Sequence, residues 1–226
     1  MLVIRNLLRS GAGVLVIMLI ILLGLNTTSE PPFVITELEW NIEVGDSLIF
    51  DLNVTAESDS FNELWQSSWT HLNNTRVIAN VTSLPLIQQI YYTSAEYLES
   101  IVMTLKVSCR FENGSQLSEA DRFIESLVSK ALLPVCRWDY LDHLFSDQPV
   151  PEWQMYEPDY RWGITIDEDA VFFGEYGESW HYTKGWSTKV NMTSGVPLMI
   201  ETHDNYHDAG YTNDCLQLTL VSYVHS

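Results

Sequence analysis

The stretch IVMTLKVSCRFE, residues 101–112, sets apolar Ile101, Met103, Leu105, Val107, Cys109 and Phe111 against polar Thr104, Lys106, Ser108, Arg110 and Glu112. A period of two over a dozen residues describes an antiparallel strand with one wet face. The segment SLIFDLNVTA repeats the pattern with Leu48, Phe50, Leu52 and Val54 on one side. It follows a Gly45-Asp46 turn, with another strand expected around Trp40–Val44. Later, RWGITID and AVFFGEYG flank an acidic turn at Asp167–Asp169. ESWHYTKGW leads into STKVNM and VPLMIET, joined by a TSG hairpin turn. CLQLTLVSYVH carries Leu216, Leu218 and Leu220 on one face.

One helix interrupts this pattern. In LSEADRFIESLVSKALLP the apolar residues Ala120, Phe123, Ile124, Leu127, Val128, Ala131 and Leu132 form an amphipathic stripe. Ser118 is placed to cap it, Asp121 stands at its third position, and Pro134 stops it, so the helix is expected over Ser118–Leu133. WDYLDHLF, Trp138–Phe145, suggests a second short helix. Strands, helices, then strands define an α+β fold: one curved, mostly antiparallel sheet covered by one main helix. Nothing alternates as β-α-β, which argues against a parallel nucleotide-binding sheet.

The first 29 residues differ from the rest. MLVIRNLLRS carries Arg5 and Arg9, and the uncharged run Gly11–Leu25 follows, before the polar break NTTSEPP. This is the layout of an export signal or an N-terminal apolar anchor helix, and the absence of an A-x-A-like site favours the anchor. Residues 1–29 are therefore expected to be the signal or anchor, meeting the membrane through residues 11–25, and residues 30–226 a single extracytoplasmic domain. Six N-x-[ST] sequons, at Asn26, Asn53, Asn73, Asn80, Asn113 and Asn191, fit that topology as glycosylation candidates. Thirty acids against 11 basic residues give a net charge of −19, which excludes nucleic acid as a partner. Cys109, Cys136 and Cys215 lack metal-knuckle spacing; one disulfide with a spare thiol and three reduced thiols both stay open.

Two groups of side chains could carry function. ETHDNYHDAGYT places His203 and His207 four apart beside Asp204 and Asp208, a low-specificity metal candidate that would imply a metal-dependent hydrolase. A zinc pair at that spacing needs a helix, and this stretch reads as a polar hairpin between strands. Adding Asp214 for calcium matches no EF-hand loop. No G-x-S-x-G elbow occurs, and no other cofactor motif is present. The second group is aromatic. Trp180, Tyr182 and Trp186 cluster in SWHYTKGW, and exposed aromatics on a sheet stack on sugar rings.

At WNIEVGDSLIFDLNV, LLPVCRWDYLDHL and the Trp186–Leu198 hairpin pattern W-x-x-x-V-x-x-x-[TS]-G-V-P-L, the chain resembles archaeal envelope proteins of Asgard type. These carry an apolar anchor and one W…GD β-domain without an assigned activity. The hairpin is also similar to periplasmic lipoprotein carriers, where a curved sheet wraps helices around an apolar cavity. The resemblance implies no catalytic residues, and the chain has no lipobox cysteine. The combined expectation is a non-catalytic binding domain. Its ligand would be lipid-like, held between sheet and helix, or an envelope partner; a carbohydrate bound on exposed aromatics is the alternative.

Overall fold

The computed structural model describes residues 38–58, 66–87, 101–102, 104–146, 159–178, 182–206 and 211–226. The expected anchor therefore lies outside the described residues. Among the described residues no helix is long and apolar enough to cross a membrane.

The unit Glu37–Ser226 is built on one antiparallel sheet. Its strands are β1 (Ser47–Ser58), β2 (Thr75–Val81), β3 (Val107–Phe111), β4 (Asp159–Ile166), β5 (Ala170–Glu178), β6 (Tyr182–Asn191), β7 (Pro197–Tyr206) and β8 (Thr212–Val224). They lie in the order β3-β2-β1-β8-β7-β6-β5-β4. Two helices, α1 (Phe123–Ala131) and α2 (Trp138–Ser146), separate β3 from β4 in sequence. The sheet-rich α+β class is thus observed.

Cross-strand register lines up the core face. Leu52 faces Leu218, which faces Ile200, then Thr188, then Phe173. Leu48 faces Ala79, which faces Cys109. All are buried, as are Ile124, Val128 and Ala131 on α1. The alternating strands and the helical stripe therefore bury each other's apolar faces.

Helix α1 touches β3 at one edge of the sheet and also β6 and β7. Nine residues make a helix about 13 Å long, whereas β3 and β6 would stand about 24 Å apart in a flat sheet. The sheet consequently wraps around α1. The helix also closes the open edge of β3. Glu125 Oε1 accepts the Cys109 amide at 2.8 Å, and Ser129 Oγ accepts the Lys106 amide at 2.9 Å. A bare strand edge invites pairing with another chain, and these two side chains occupy it.

Several expectations need correction. Residues 101–112 do not form one strand: Ile101 and Val102 are helical, and the strand begins at Val107. Leu105 is 53% exposed and Lys106 is fully buried, so the in–out phase is reversed there. Lysine can go inside because its Nζ donates to the Ile101 and Ser129 carbonyls and lies 5.8 Å from the Trp40 ring centre. Around Trp40–Val44 there is no strand, although the Gly45-Asp46 turn forms, with Gly45 at φ +106. The α-helix starts at Phe123 rather than Ser118. A 3-10 turn, Glu119–Asp121, precedes it, and Ser118 Oγ donates to Asp121 Oδ2 at 2.6 Å instead of accepting from a helix amide. Strand β2 was not foreseen, although Val77, Ala79 and Val81 alternate with less buried residues.

Candidate ligand-binding groove

The metal motif comes apart on the strand. His203 and Asp204 lie within β7, not in a turn. Neighbouring strand residues point to opposite faces, so these two side chains diverge. His203 faces Gly185 and Cys215 across its neighbours, while Asp204 pairs with Lys184 at 3.1 Å. Asp214, opposite Asp204, is buried and accepts a 2.5 Å hydrogen bond from Ser67. Burial raises the Asp214 pKa, with repulsion from Asp204 adding to it and the Ser67 bond opposing. His207 and Asp208 lie outside the described residues. Among those described, no three acidic, histidine or cysteine side chains gather as a metal site.

The aromatic cluster is also rearranged. Trp180 lies outside the described residues, and Tyr182 is half-buried at the start of β6 opposite Tyr206. Trp186, a candidate for an exposed stacking surface, is only 5% exposed and belongs to the core. Its Nε1 donates to Glu175 at 3.2 Å, Phe173 meets it edge-on at 5.4 Å, and Lys130 of α1 lies 5.6 Å from its ring centre. Trp186 thus ties β5 and β6 to the helix.

The opposite face of the same strands carries a groove of about 390 Å³. Three rows of register build it. In the middle row Gly163 faces Gly174, which faces Ser187. One flanking row holds Thr165, Phe172 and Lys189; the other holds Tyr176, Gly185 and His203. Phe172 and Tyr176, four apart on β5, therefore stand on the same face about 13 Å from each other. They are 41% and 45% exposed.

Glycine makes the floor. A Cβ on Gly174 would come within 2.4 Å of the Trp186 carbonyl oxygen, and one on Gly185 within 2.6 Å of the Glu175 carbonyl oxygen. Strands β5 and β6 approach so closely that neither position admits a side chain. Gly163 has open space above it. Without side chains at these places, the two aromatic rings become walls over bare backbone.

A nitrogen-bearing side chain lies beside each ring, and of the two only His203 lines the groove. Lys189 Nζ sits 5.6 Å from the Phe172 ring centre. His203 lies 5.9 Å from the Tyr176 ring and is half-buried. Burial lowers its pKa, against the pull of Glu201 and Asp204, so the imidazole is neutral at pH 7 and can both donate and accept.

Sequence reasoning missed this groove. Its signal was F-x-G-x-Y, residues 172–176, with glycine on the polar phase of a strand between two aromatics on that same phase. No family model matches the chain, and no curated protein or solved structure is similar to it.

Proposed function

We propose that the chain is a non-catalytic binding domain of the cell envelope that takes a carbohydrate on the groove of β4–β7. The observation that carries this reading is the pair of exposed rings, Phe172 and Tyr176, over a glycine floor. A pyranose has one face of C–H groups and a rim of hydroxyls. The C–H face packs on an aromatic ring, and the rim needs donors and acceptors beside it. Ser187 and His203 stand where the rim would lie.

The lipid-like reading has less support. The apolar stripe of α1 and the core face of the sheet bury each other, with Ile124, Val128, Ile200 and Leu218 all at 0% exposure. The extracytoplasmic setting, the membrane tether at residues 11–25 and glycans on Asn53, Asn73, Asn80, Asn113 and Asn191 rest on sequence.

A glycan array probed with the purified full chain tests the proposal. A defined set of glycans should bind, and the Phe172→Ala, Tyr176→Ala double variant should lose them by about 20-fold or more, the worth of two aromatic contacts. Identical binding by both proteins, or no glycan bound, sinks the reading.

A further inference from the structure

We infer that the free edge of β4 is a docking surface for an extended, basic segment of a partner protein, which joins the sheet as an added strand. This goes beyond the carbohydrate reading of the groove and does not rest on it.

The two margins of the sheet are built differently. β3 stands at one and β4 at the other. At β3 the outward amides are occupied: Glu125 takes that of Cys109, Ser129 that of Val107, and the Ser115 carbonyl that of Phe111. At β4 the Asp167 amide donates to the Ala170 carbonyl at 2.9 Å, so hydrogen-bonded pairs alternate back from the turn. Thr165 exchanges bonds with Phe172, and Gly163 with Gly174. Ile164 and Ile166 therefore turn their N–H and C=O groups away from β5, and among the described residues nothing bonds to those groups. Helix α2 approaches β4 through the core, to which Leu141, Leu144 and Ile164 all belong, and leaves them open. Unpaired amides and carbonyls along an edge are the template for strand addition.

Charge selects the occupant. The edge ends in Asp167, Glu168 and Asp169, all exposed and none in an ion pair among the described residues. A second copy of the chain would bring its own charge of −19, so self-pairing is opposed and a basic segment is favoured.

Shape adds to this. A Cβ on Gly163 would meet nothing within 4 Å, so the edge strand has a gap on its outer face. An aromatic side chain on the added strand, opposite Gly163, would cover that bare backbone. On the other face Ile166 is 42% exposed, and an apolar cross-strand neighbour would bury it. Asp167 lies four residues beyond Gly163. In antiparallel pairing, the more stable arrangement, the basic residue of the partner therefore precedes its aromatic by four positions.

Panning a displayed library of random peptides on the purified full chain tests the inference. Enriched sequences should be rich in β-branched residues, lack proline, and carry Lys or Arg four positions before an aromatic. With the best synthetic peptide, amide hydrogen exchange should show new protection at Ile164 and Ile166. Gly163 and Thr165, bonded to β5 already, should be protected before and after. Ile166→Pro removes an N–H that no described residue uses, and it should weaken the peptide about tenfold with the melting temperature unchanged. Glu168→Lys should weaken it several-fold. If Ile166→Pro proves unstable, the exchange pattern of the parent chain decides. No enriched motif, enrichment of acidic or proline-containing peptides, or protection that spares Ile164 and Ile166 overturns the inference. A dimer of the free chain that already protects these two amides overturns it as well, because the edge then belongs to a second copy.

Discussion

The Tyr223 hydroxyl donates to Asp46 Oδ2 at 2.6 Å, joining the last strand to the turn that leads into the first. Asp46 is 1% exposed, and its carboxylate also accepts the amides of Glu43 and Ser226, each at 2.9 Å. Burial works to raise its pKa. The bonds from Tyr223, Glu43 and Ser226 and the nearby His225 charge together outweigh burial and hold it below the ordinary value.

A depressed carboxyl stabilises the fold above its unfolded pKa of 3.8, and that contribution is lost as pH falls through the lower folded value. Asp46→Asn should cost about 2–3 kcal/mol at pH 7 and progressively less toward pH 3. Tyr223→Phe should cost about 1–2 kcal/mol at pH 7. Urea unfolding of the three proteins across pH 3–7 measures both. An Asp46→Asn penalty that does not change with pH would show that the charge of Asp46 is not what matters.

Lys106 gives the same direction of pH dependence by the opposite effect, because here the fold disfavours the ionised form. Burial lowers its pKa from 10.5 to about 7. The unfolded chain holds this proton between those values and the folded chain does not, so stability rises with pH from about 7. Cys215, pushed up to about 11 by burial and by Glu201 and Asp214, opposes the trend once unfolded thiols ionise near pH 9. The clean window is therefore pH 7–9. Lys106→Met should stabilise the fold at pH 6 by about 1–4 kcal/mol and flatten its pH profile across that window. Loss of stability at pH 6 would mean that the two carbonyl bonds and the Trp40 contact outweigh the desolvation of the ammonium.

Gly195 sits at φ +70 in the β6–β7 turn, and its carbonyl accepts the Leu133 amide at 3.1 Å. A Cβ there would fall 2.0 Å from the Leu133 carbonyl oxygen. Gly195→Ala should therefore cost about 2–4 kcal/mol, through backbone strain and displacement of the hairpin from the segment after α1. Thermal unfolding of this variant beside Gly114→Ala is informative. Gly114 also has positive φ, at +87, but nothing lies within 4 Å of its added Cβ. Equal losses in the two variants would show that φ alone, and not the contact with Leu133, sets the cost.

The three cysteines are free and differ in exposure. Cys136 is exposed, yet its thiol donates to Glu39 Oε1 at 3.2 Å, and that bond raises its pKa. Maleimide labelling at pH 7 should modify Cys136 first and Cys215 slowly, with Cys109 reacting only after unfolding. Glu39→Gln should speed the first step. A mass two protons lighter than the reduced chain, with no labelling at Cys136, would contradict free thiols.

Period-two patterning made most of the sheet legible: Leu48 to Val54 and Leu216 to Leu220 lie on strands in the expected phase, and the runs on either side of the Asp167–Asp169 turn form β4 and β5. Patterning failed where a polar side chain found partners inside. Lys106 looks like a solvent position by composition, and only the Ile101 and Ser129 carbonyls make it a core residue. It also misjudged the aromatics. Composition marks Trp186 as a stacking surface, but the strand phase it shares with Thr188 and Val190 places it inward, and Glu175 and Lys130 satisfy it there. The groove was obscured for a different reason. A glycine floor is a set of missing side chains, and its meaning depends on which strands lie beside it.

Strand β1 pairs with β2 on one side and with β8 on the other, Ser47 facing Val224. Until β8 has been synthesised, β1 keeps an unsatisfied ladder, and β7 keeps another. The growing chain thus consists of two half-sheets with sticky margins, and the final strand is the keystone that seals both at once. A ribosome stalled before residue 212 would hold a nascent chain prone to aggregate, and a chaperone would need to shield those margins until release.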